Sequence, residues 1–274
     1  MNLFLYILVI IVVCSVALVF GAFAFCMHSK IKAVDLMNKL FNDASQKLNT
    51  LDKLDEENIS IRMEGIYALQ RLAENAPNGR ERQRAVDALC QYLKNHRSVD
   101  AFAEPDTFLE EDEKAIIRAL VQLSQTYKSR IQINLSRTNL YFADFRGAYL
   151  ERADFTGAYC EDAFFGETHC EAALFIGADC MSAMFTEAHC EGAVFEGAHC
   201  EGANFSRSYC KNAGFSGAHC EGTDFIDANC ENATFWGLHC EKTDFTDAVQ
   251  YGADFRYTKD IKKAIGLEYS KIIY

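Results

Sequence analysis

The apolar and polar positions of the chain follow three different patterns, and each pattern predicts a different structure. The first pattern is an apolar run over residues 2–27 that contains no charged side chain. It exceeds the ~20 residues that a helix needs to cross a bilayer. Lysines follow at positions 30, 32 and 39, and basic residues favour the cytoplasmic side. We therefore predict a transmembrane helix over 1–28, with the N-terminus outside and the rest of the chain in the cytoplasm.

A cleaved secretory signal is the alternative interpretation of the same run. Ala22 and Ala24 provide the small residues of a cleavage site, which would remove residues 1–24 and release the remaining chain outside the cytoplasm. The run lacks an early Lys or Arg and is longer than the ~7–15 apolar residues of a usual signal. The transmembrane helix is therefore the preferred prediction.

The second pattern has the period of an α-helix and covers residues 29–129. An apolar stripe over 31–54 predicts a helix that either pairs two chains as a short coiled coil or packs on its own domain. Further stripes predict a helix from residue 59 to the Pro77 region, one over 80–96 and one over 110–127. Because short helices need one another to bury their stripes, we expect 59–127 to form one small helical unit.

The third pattern begins at residue 131 and has a period of five. Every fifth residue from Leu135 to Phe255 is Leu, Phe or Cys, except Gln250. Five residues rotate ~500° in a helix, and an odd period alternates faces in a strand. A chain that keeps all these centres inside must therefore turn a corner in each unit, and four corners close a coil of 20 residues. The 25 centres predict about six coils at strand spacing.

The side chains at the centres predict the core of this coil. Phe and Cys alternate, so two opposite walls carry Phe and the other two carry Cys, while the residues beside each centre point outward. A small residue stands two positions before nearly every centre. The predicted core includes Phe165, Phe175, Phe185, Phe195, Phe205, Phe215, Cys170, Cys180, Cys190, Cys200, Cys210 and Cys220.

These repeats resemble the pentapeptide-repeat family over residues 130–256. The resemblance implies a mainly β fold, a right-handed quadrilateral β-helix, preceded here by the transmembrane helix and the α-helical unit and followed by a C-terminal cap over 257–274. Residues 41–76 are also similar to the segment that precedes the repeats in bacterial membrane-anchored members. That second resemblance implies an inner-membrane location and no defined activity.

Composition and charge argue against one class of function and indicate the state of the cysteines. The formal net charge is −12, and residues 131–256 carry 20 Asp/Glu against 7 Lys/Arg, which argues against nucleic-acid binding. Nine of the twelve cysteines recur every ten residues within the repeats. We expect these nine to be free thiols packed as small hydrophobes, as suits a reducing cytosol.

The repeated His-Cys-Glu motif raises the question of a metal site. In the predicted coil Cys190 points inward, whereas His189 and Glu191 point outward, so one zinc ion cannot use all three. A surface ion on the outer face shared by His199, His219 and His239 is the weaker alternative. We predict no metal, no cofactor and no enzymatic activity.

Outward apolar residues suggest an interaction surface instead. Phe164 and Met184 are expected on one wall, and Leu174 and Val194 on the opposite wall, unless the helical unit covers one pair. Acidic residues line another face at Glu201, Glu221 and Glu241. The leading hypothesis is a membrane-anchored scaffold with an unknown protein partner. We also predict that a homodimer could form through 31–54 or the C-terminal segment. The resemblance to pentapeptide-repeat proteins implies an alternative function, a DNA-mimicking regulator of gyrase or topoisomerase.

Overall fold

The computed structural model describes residues 35–49, 56–99, 108–268 and 272–273. The chain divides into two units, Met1–Asp43 and Ala44–Tyr274. In the first unit the described residues, 35–43, are helical. The predicted transmembrane helix over 1–28 lies outside the described residues. Within the described ranges, none of the helices combines the length and the apolar character that crossing a membrane requires.

Four α-helices precede the repeats within the residues that the structure describes. They are α1 (35–48), α2 (Glu56–Glu74), α3 (Gly79–His96) and α4 (Glu111–Tyr127). Each of the last two begins at a cap that the sequence encodes. The Asn78 side chain accepts a hydrogen bond from the Glu81 amide, and Glu110 and Glu113 form a reciprocal capping box. Short 3-10 helices follow at Lys128–Arg130 and Ile261–Lys263.

The helical unit is held by an apolar core and a buried ion pair. Ala44 and Leu48 of α1 are fully buried and lie against the backbone of α2 at Gly65. This part of the apolar stripe in 31–54 therefore packs on its own domain. Between α2 and α4, Arg62 Nε contacts Asp112 Oδ2 at 2.6 Å, with both side chains buried. A buried charge pair of this kind fixes the register of the helices because breaking it would leave an unpaired charge inside.

From residue 133 onward the backbone forms a square coil with 20 residues per turn. Parallel bridges join residues 20 positions apart, for example Leu174 to Val194 and Val194 to Gly214. The Val194 amide donates to the Ala173 carbonyl at 2.9 Å, and the next amide, Phe195, donates to the Gly214 carbonyl at 2.6 Å. Each unit is thus hydrogen-bonded to the coil before it and to the coil after it.

The predicted fold class is wrong in its mainly β character, whereas the transmembrane helix predicted before the repeats falls outside the described residues. Among residues 133–268 the structure has single-residue bridges and no strand, and the described helices contain none that could span a bilayer. The physical reason is the turn within each five-residue unit, which places one residue at positive φ, such as Gly192 at 65° or Ala172 at 55°. This turn ends the pairing after one residue, so a ladder cannot extend along a wall.

The centres of the units fill the coil as two stacked columns of phenylalanine rings and two columns of thiols. Rings one coil apart stack in parallel: Phe185 and Phe205 have centroids 4.6 Å apart and planes at 0°. Rings of the facing column meet edge to face, as Phe185 and Phe195 do at 5.4 Å and 89°. Both arrangements are favoured by the ring quadrupole, and all these rings are fully buried.

Both ends of the coil are covered. At the first coil, Ser98 forms an antiparallel bridge with Thr138, and the Asn139 amide donates to the Arg97 carbonyl at 2.6 Å. At the last coil, Ile265 and Ile273 form parallel bridges with residues of the preceding turn, and the Phe255 amide donates to the Ile273 carbonyl at 2.6 Å. These contacts satisfy backbone groups that would otherwise form an open edge.

Candidate functional site on the outer walls

The cysteine side chains of the repeats lie inside the coil, and Cys90 is buried in the helical unit. The ten described cysteines are free and buried, and Cys170 Sγ lies 3.2 Å from Cys190 Sγ. Burial raises the pKa of the Cys190 thiol well above its usual range. Because the thiolate is the nucleophilic and metal-binding form, the Cys190 side chain offers no reactive group at neutral pH.

Two columns of histidine rings run along the outside, beside the two thiol columns. In the first histidine column, Tyr149, His169, His189 and Tyr209 stack with centroid distances of 4.2, 4.5 and 4.5 Å. In the second histidine column, the rings of His199, His219 and His239 lie 4.8 and 4.2 Å apart. The coil repeat thus converts a 20-residue spacing in the sequence into contact between side chains.

Glutamates stand between successive histidines and complete three His–Glu–His groups. We call them the Glu171 triad (His169, Glu171, His189), the Glu201 triad (His199, Glu201, His219) and the Glu221 triad (His219, Glu221, His239). In each triad, one ligand-type atom per residue lies within 4.8 Å of the other two.

The shortest contacts within the triads have hydrogen-bond length. Nδ1 of His169 lies 3.2 Å from Oε1 of Glu171, and Nδ1 of His199 lies 3.3 Å from Oε1 of Glu201. Glu201 also faces the histidine of the next coil, since its Oε1 lies 4.0 Å from Nδ1 of His219.

The second carboxylate oxygen of these glutamates is buried. Oε2 of Glu171, Glu201 and Glu221 has almost no accessible surface and accepts no hydrogen bond from the described residues, and Glu191 shares this property. All four glutamates stand two positions after a histidine. An acceptor without a partner is unfavourable when it is shielded from water.

An exposed apolar stripe occupies a different wall. The Phe142 ring lies 5.2 Å from Phe108 and 6.1 Å from Phe164, and Met184 follows one coil after Phe164. Phe108 is 63% exposed and Met184 is 42% exposed. We call Phe108, Phe142, Phe164 and Met184 the apolar stripe. Phe108, which precedes α4, contacts one end of it and leaves the other end open.

The remaining predicted surface residues are less exposed than Met184 or are paired with other side chains. Leu174 and Val194 are bridged neighbours on the opposite wall and are half-buried. Glu201 and Glu221 belong to the triads, whereas Glu241 Oε1 lies 3.4 Å from the Lys263 ammonium. The acidic face is therefore interleaved with histidines and is not a row of free carboxylates.

Sequence reasoning missed the pairing of each glutamate with two histidines. It placed His199, His219 and His239 on one outer face, but it did not assign a glutamate to each pair of successive histidines. The useful signal was a histidine followed by a glutamate two positions later and a second histidine 20 positions later, which occurs at His169, His199 and His219. Sequence reasoning also missed Phe108 and Phe142, because the path of the helical unit sets their contact.

Comparisons with known proteins agree with the repeat pattern. The family model for pentapeptide repeats matches residues 133–169, 165–199, 193–229 and 223–259. A comparison with curated proteins found no match.

Solved structures that resemble the chain include a pentapeptide repeat protein, Rfr23, from the cyanobacterium Cyanothece 51142. It is 21% identical with a TM-score of 0.33, and the alignment covers 36% of this chain and 65% of Rfr23. A pentapeptide repeat protein from the Arabidopsis thaliana thylakoid lumen is 28% identical with a TM-score of 0.31, covering 39% of this chain and 72% of that one. Full-length QnrB1, a plasmid-mediated fluoroquinolone resistance protein, is 19% identical with a TM-score of 0.26, covering 54% and 84%.

The assignment of the family rests on the repeats. Small residues and Leu, Phe or Cys centres recur every five residues, the coil closes after 20, and the family model matches consecutive stretches of this region. Through residues 133–259, the chain belongs to the pentapeptide-repeat family.

Proposed function

We propose that the protein is a non-enzymatic interaction module that binds a partner protein through the apolar stripe. The observation that carries the proposal is the apolar stripe, in which Phe108, Phe142 and Met184 are exposed and Phe164 is half-buried, beside a coil with an excess of acidic residues. Exposed apolar patches on a soluble surface commonly mark contacts with other proteins. A partner that fits has an apolar anchor for the rings and basic residues for the acidic surroundings.

The wall around the stripe supports a binding role. Arg146 lies over the Phe164 ring at 5.5 Å and pairs with Asp144 at 2.6 Å. The aromatic surface is therefore bordered by fixed charges that can orient a partner. The regular backbone hydrogen bonds beneath it hold these side chains on a rigid frame, so little ordering entropy is lost on binding.

A single substitution tests this interface. Met184→Glu places a charge at the open end of the stripe and is expected to abolish partner capture in proximity labelling of the native protein. Val194→Glu makes the same change on the opposite wall and serves as the matched control. Loss of the same captured proteins with both variants, or with neither, would contradict the proposed surface.

The acidic coil favours a second candidate, a DNA-mimicking regulator of gyrase or topoisomerase. Its support is the excess of 20 acidic over 7 basic residues in 131–256. Such a surface can occupy a cationic groove that normally holds DNA. A supercoiling assay with gyrase tests it: the candidate function requires inhibition or protection at micromolar protein, and no effect removes it.

Localisation is a separate proposal that rests on the sequence of residues 2–27. We place the protein at a bacterial inner membrane with its repeats in the cytoplasm. Protease treatment of spheroplasts checks this, because cytoplasmic repeats resist digestion until the membrane is broken. Recovery of a shortened protein from the periplasm would support signal cleavage instead. A homodimer through 31–54 or 257–274 stays a prediction, which sedimentation of the purified protein can test.

A further inference from the structure

We propose that the Glu171 triad and the Glu201 triad each bind a divalent transition-metal ion of the zinc class. Each triad offers two imidazole nitrogens and one carboxylate oxygen, a ligand set that zinc uses with a fourth position open for water. The proposal is independent of the apolar stripe and its partner.

The spacing of the ligand atoms suits one ion. Zinc bonds of ~2.0–2.2 Å place tetrahedral ligand atoms roughly 3.3 Å apart. The contacts of His169 with Glu171 and of His199 with Glu201 are 3.2 and 3.3 Å, and all three atoms in each triad lie within 4.8 Å. The remaining histidine of each triad therefore has only a short distance to move.

The buried carboxylate oxygens are a second observation that points to a cation. Oε2 of Glu171 and of Glu201 has almost no accessible surface and accepts no hydrogen bond from the part of the chain described. The Glu171 and Glu201 side chains are about one-third exposed, so the carboxylate charge is only partly hydrated, and a metal ion at Oε1 would balance it.

Binding requires the histidine rings to turn. The planes of His169 and His189 are 10° apart, and parallel rings cannot both direct a lone pair at one ion. Both side chains are about one-third exposed, so they are free to tilt toward each other. We therefore expect the rings to leave their parallel stack on binding, while the backbone bridges beneath them stay in place.

The second histidine column holds one ion, and Lys259 determines which triad holds it. The Glu201 and Glu221 triads share His219, so they cannot both be filled through its Nδ1. The Lys259 ammonium lies 2.9 Å from Nε2 of His239 and can only donate. A histidine that binds metal through Nδ1 carries its proton on Nε2, which would face that donor. The Glu201 triad is therefore favoured, and the expected total is two ions per chain.

A surface groove adjoins the Glu171 triad and gives access to its open coordination position. The groove has a volume of about 490 Å³ and is lined by both histidines of the triad, Tyr209, Arg207 and the carboxylates of Glu167 and Glu187. Arg207 Nε lies 2.8 Å from Glu187 Oε1, so its charge is already balanced. Water can therefore reach a bound ion from this side without passing a free cation.

The test counts Zn²⁺ by equilibrium dialysis of the full-length protein, stripped with EDTA and purified without a histidine tag. The wild type is expected to hold two ions. His169→Tyr is expected to hold one, because it removes a ligand while retaining a ring that the chain already stacks at Tyr149 and Tyr209. Co²⁺ in place of Zn²⁺ provides a visible spectrum that reports ligation.

A compensating substitution separates ligation from a general effect on folding. Glu191 has the same buried oxygen as Glu171, but the next coil supplies Tyr209 where the triads have a histidine. Adding Tyr209→His to the His169→Tyr variant places Glu191 between His189 and a new histidine at position 209. This double variant is expected to bind the second ion again.

Glutamate variants provide the matched control. Glu171→Gln is expected to weaken one site at least about tenfold, whereas Glu191→Gln, which removes only a charge 3.8 Å from Nδ1 of His189, is expected to weaken that site less than Glu171→Gln does and to leave the other unchanged. Wild-type protein without bound Zn²⁺, two ions retained by His169→Tyr, no recovery in the double variant, or equal binding of Mg²⁺ would each overturn the proposal.

Discussion

At the scale of single residues, the turn in each five-residue unit requires one residue at positive φ, which glycine adopts without strain. Gly192 has a φ of 65°, and a Cβ added there would meet nothing within 4 Å. Gly214 occupies a bridge position at ordinary φ, where a Cβ would meet only the Glu196 side chain at 3.9 Å. Neither position is crowded, so alanine variants at the two glycines should differ mainly in the backbone strain at positive φ.

We expect Gly192→Ala to be less stable than Gly214→Ala by ~1–2 kcal/mol, the cost of left-handed backbone for a residue with a Cβ. The change from glycine to alanine lowers the entropy of the unfolded chain equally in both variants. The difference between their free energies of unfolding therefore reports the cost of positive φ. Urea midpoints at constant slope measure it. Equal midpoints would show that the turn relaxes away from positive φ.

The buried thiols predict a loss of stability in alkali. Burial raises the pKa of Cys90 from 9.0 to about 12. The folded state therefore holds this proton more tightly than the unfolded state. The free energy of unfolding should be unaffected below pH ~9 and fall by ~1.4 kcal/mol per pH unit per such thiol as the pH rises toward 12. Denaturant titrations across this range measure the slope.

Cys90→Ala identifies the contribution of one thiol to that slope. The variant is expected to unfold more readily at neutral pH, because it leaves a small cavity, and to lose less stability than wild type between pH ~9 and ~12. An unchanged slope would mean that Cys90 titrates alike in the folded and unfolded states.

At the scale of elements, the helical unit depends on one close approach between helices. A Cβ on Gly65 would lie 2.7 Å from the Leu48 amide nitrogen and 2.8 Å from the Ala44 carbonyl oxygen. Both are backbone atoms, so α1 would have to move. We expect Gly65→Ala to destabilise the unit by ~1–3 kcal/mol despite the better helix propensity of alanine.

Gly79→Ala is the control for that variant, since Gly79 is also helical, as the first residue of α3, and its added Cβ would meet nothing within 4 Å. Calorimetry of the two variants should show a lower Tm for Gly65→Ala alone. A higher Tm for both would indicate that propensity outweighs the helix contact.

Helices with strong apolar stripes could be predicted from the sequence, since α3 and α4 begin within a residue of the expected positions and end where expected. The Phe and Cys columns are buried because the five-residue period sets which side chains point inward. The absence of strands was not predicted, since the period indicates a corner in each unit but not that pairing stops after one residue. The column of His199, His219 and His239 was placed on one face from the sequence, but the triads were not predicted, because the side-chain directions that bring each glutamate to two histidines are set by packing between coils.

At the scale of the whole molecule, a coil of this kind is stable only while both of its ends are covered. Ile265 and Ile273 cover the last turn through bridges to Asp244 and Asp254. Deletion of residues 261–274 is therefore expected to expose the amide of Phe255 and its neighbours as an open edge, and to produce end-to-end association.

Light scattering coupled to size exclusion should detect that association as larger, concentration-dependent species. A variant in which Lys262 is replaced by Ala, within the same segment but outside the bridges, serves as the control and should behave as wild type. A truncated protein with the same oligomeric state as wild type would show that the last coil does not need residues 261–274 to prevent association.

The register of the coil also has an evolutionary consequence. Loss of five residues would rotate everything after it by a quarter turn and place phenylalanine over cysteine, whereas loss of ten residues rotates it by half a turn and keeps like over like. Excision of residues 190–199 would join His189 directly to Cys200, and the junction would still read His-Cys-Glu. The two histidine columns would then merge into one, running from His169 through His189 to His219 and His239. Recombination between repeats can therefore rearrange the outer surface of this protein in a single step while leaving its interior intact.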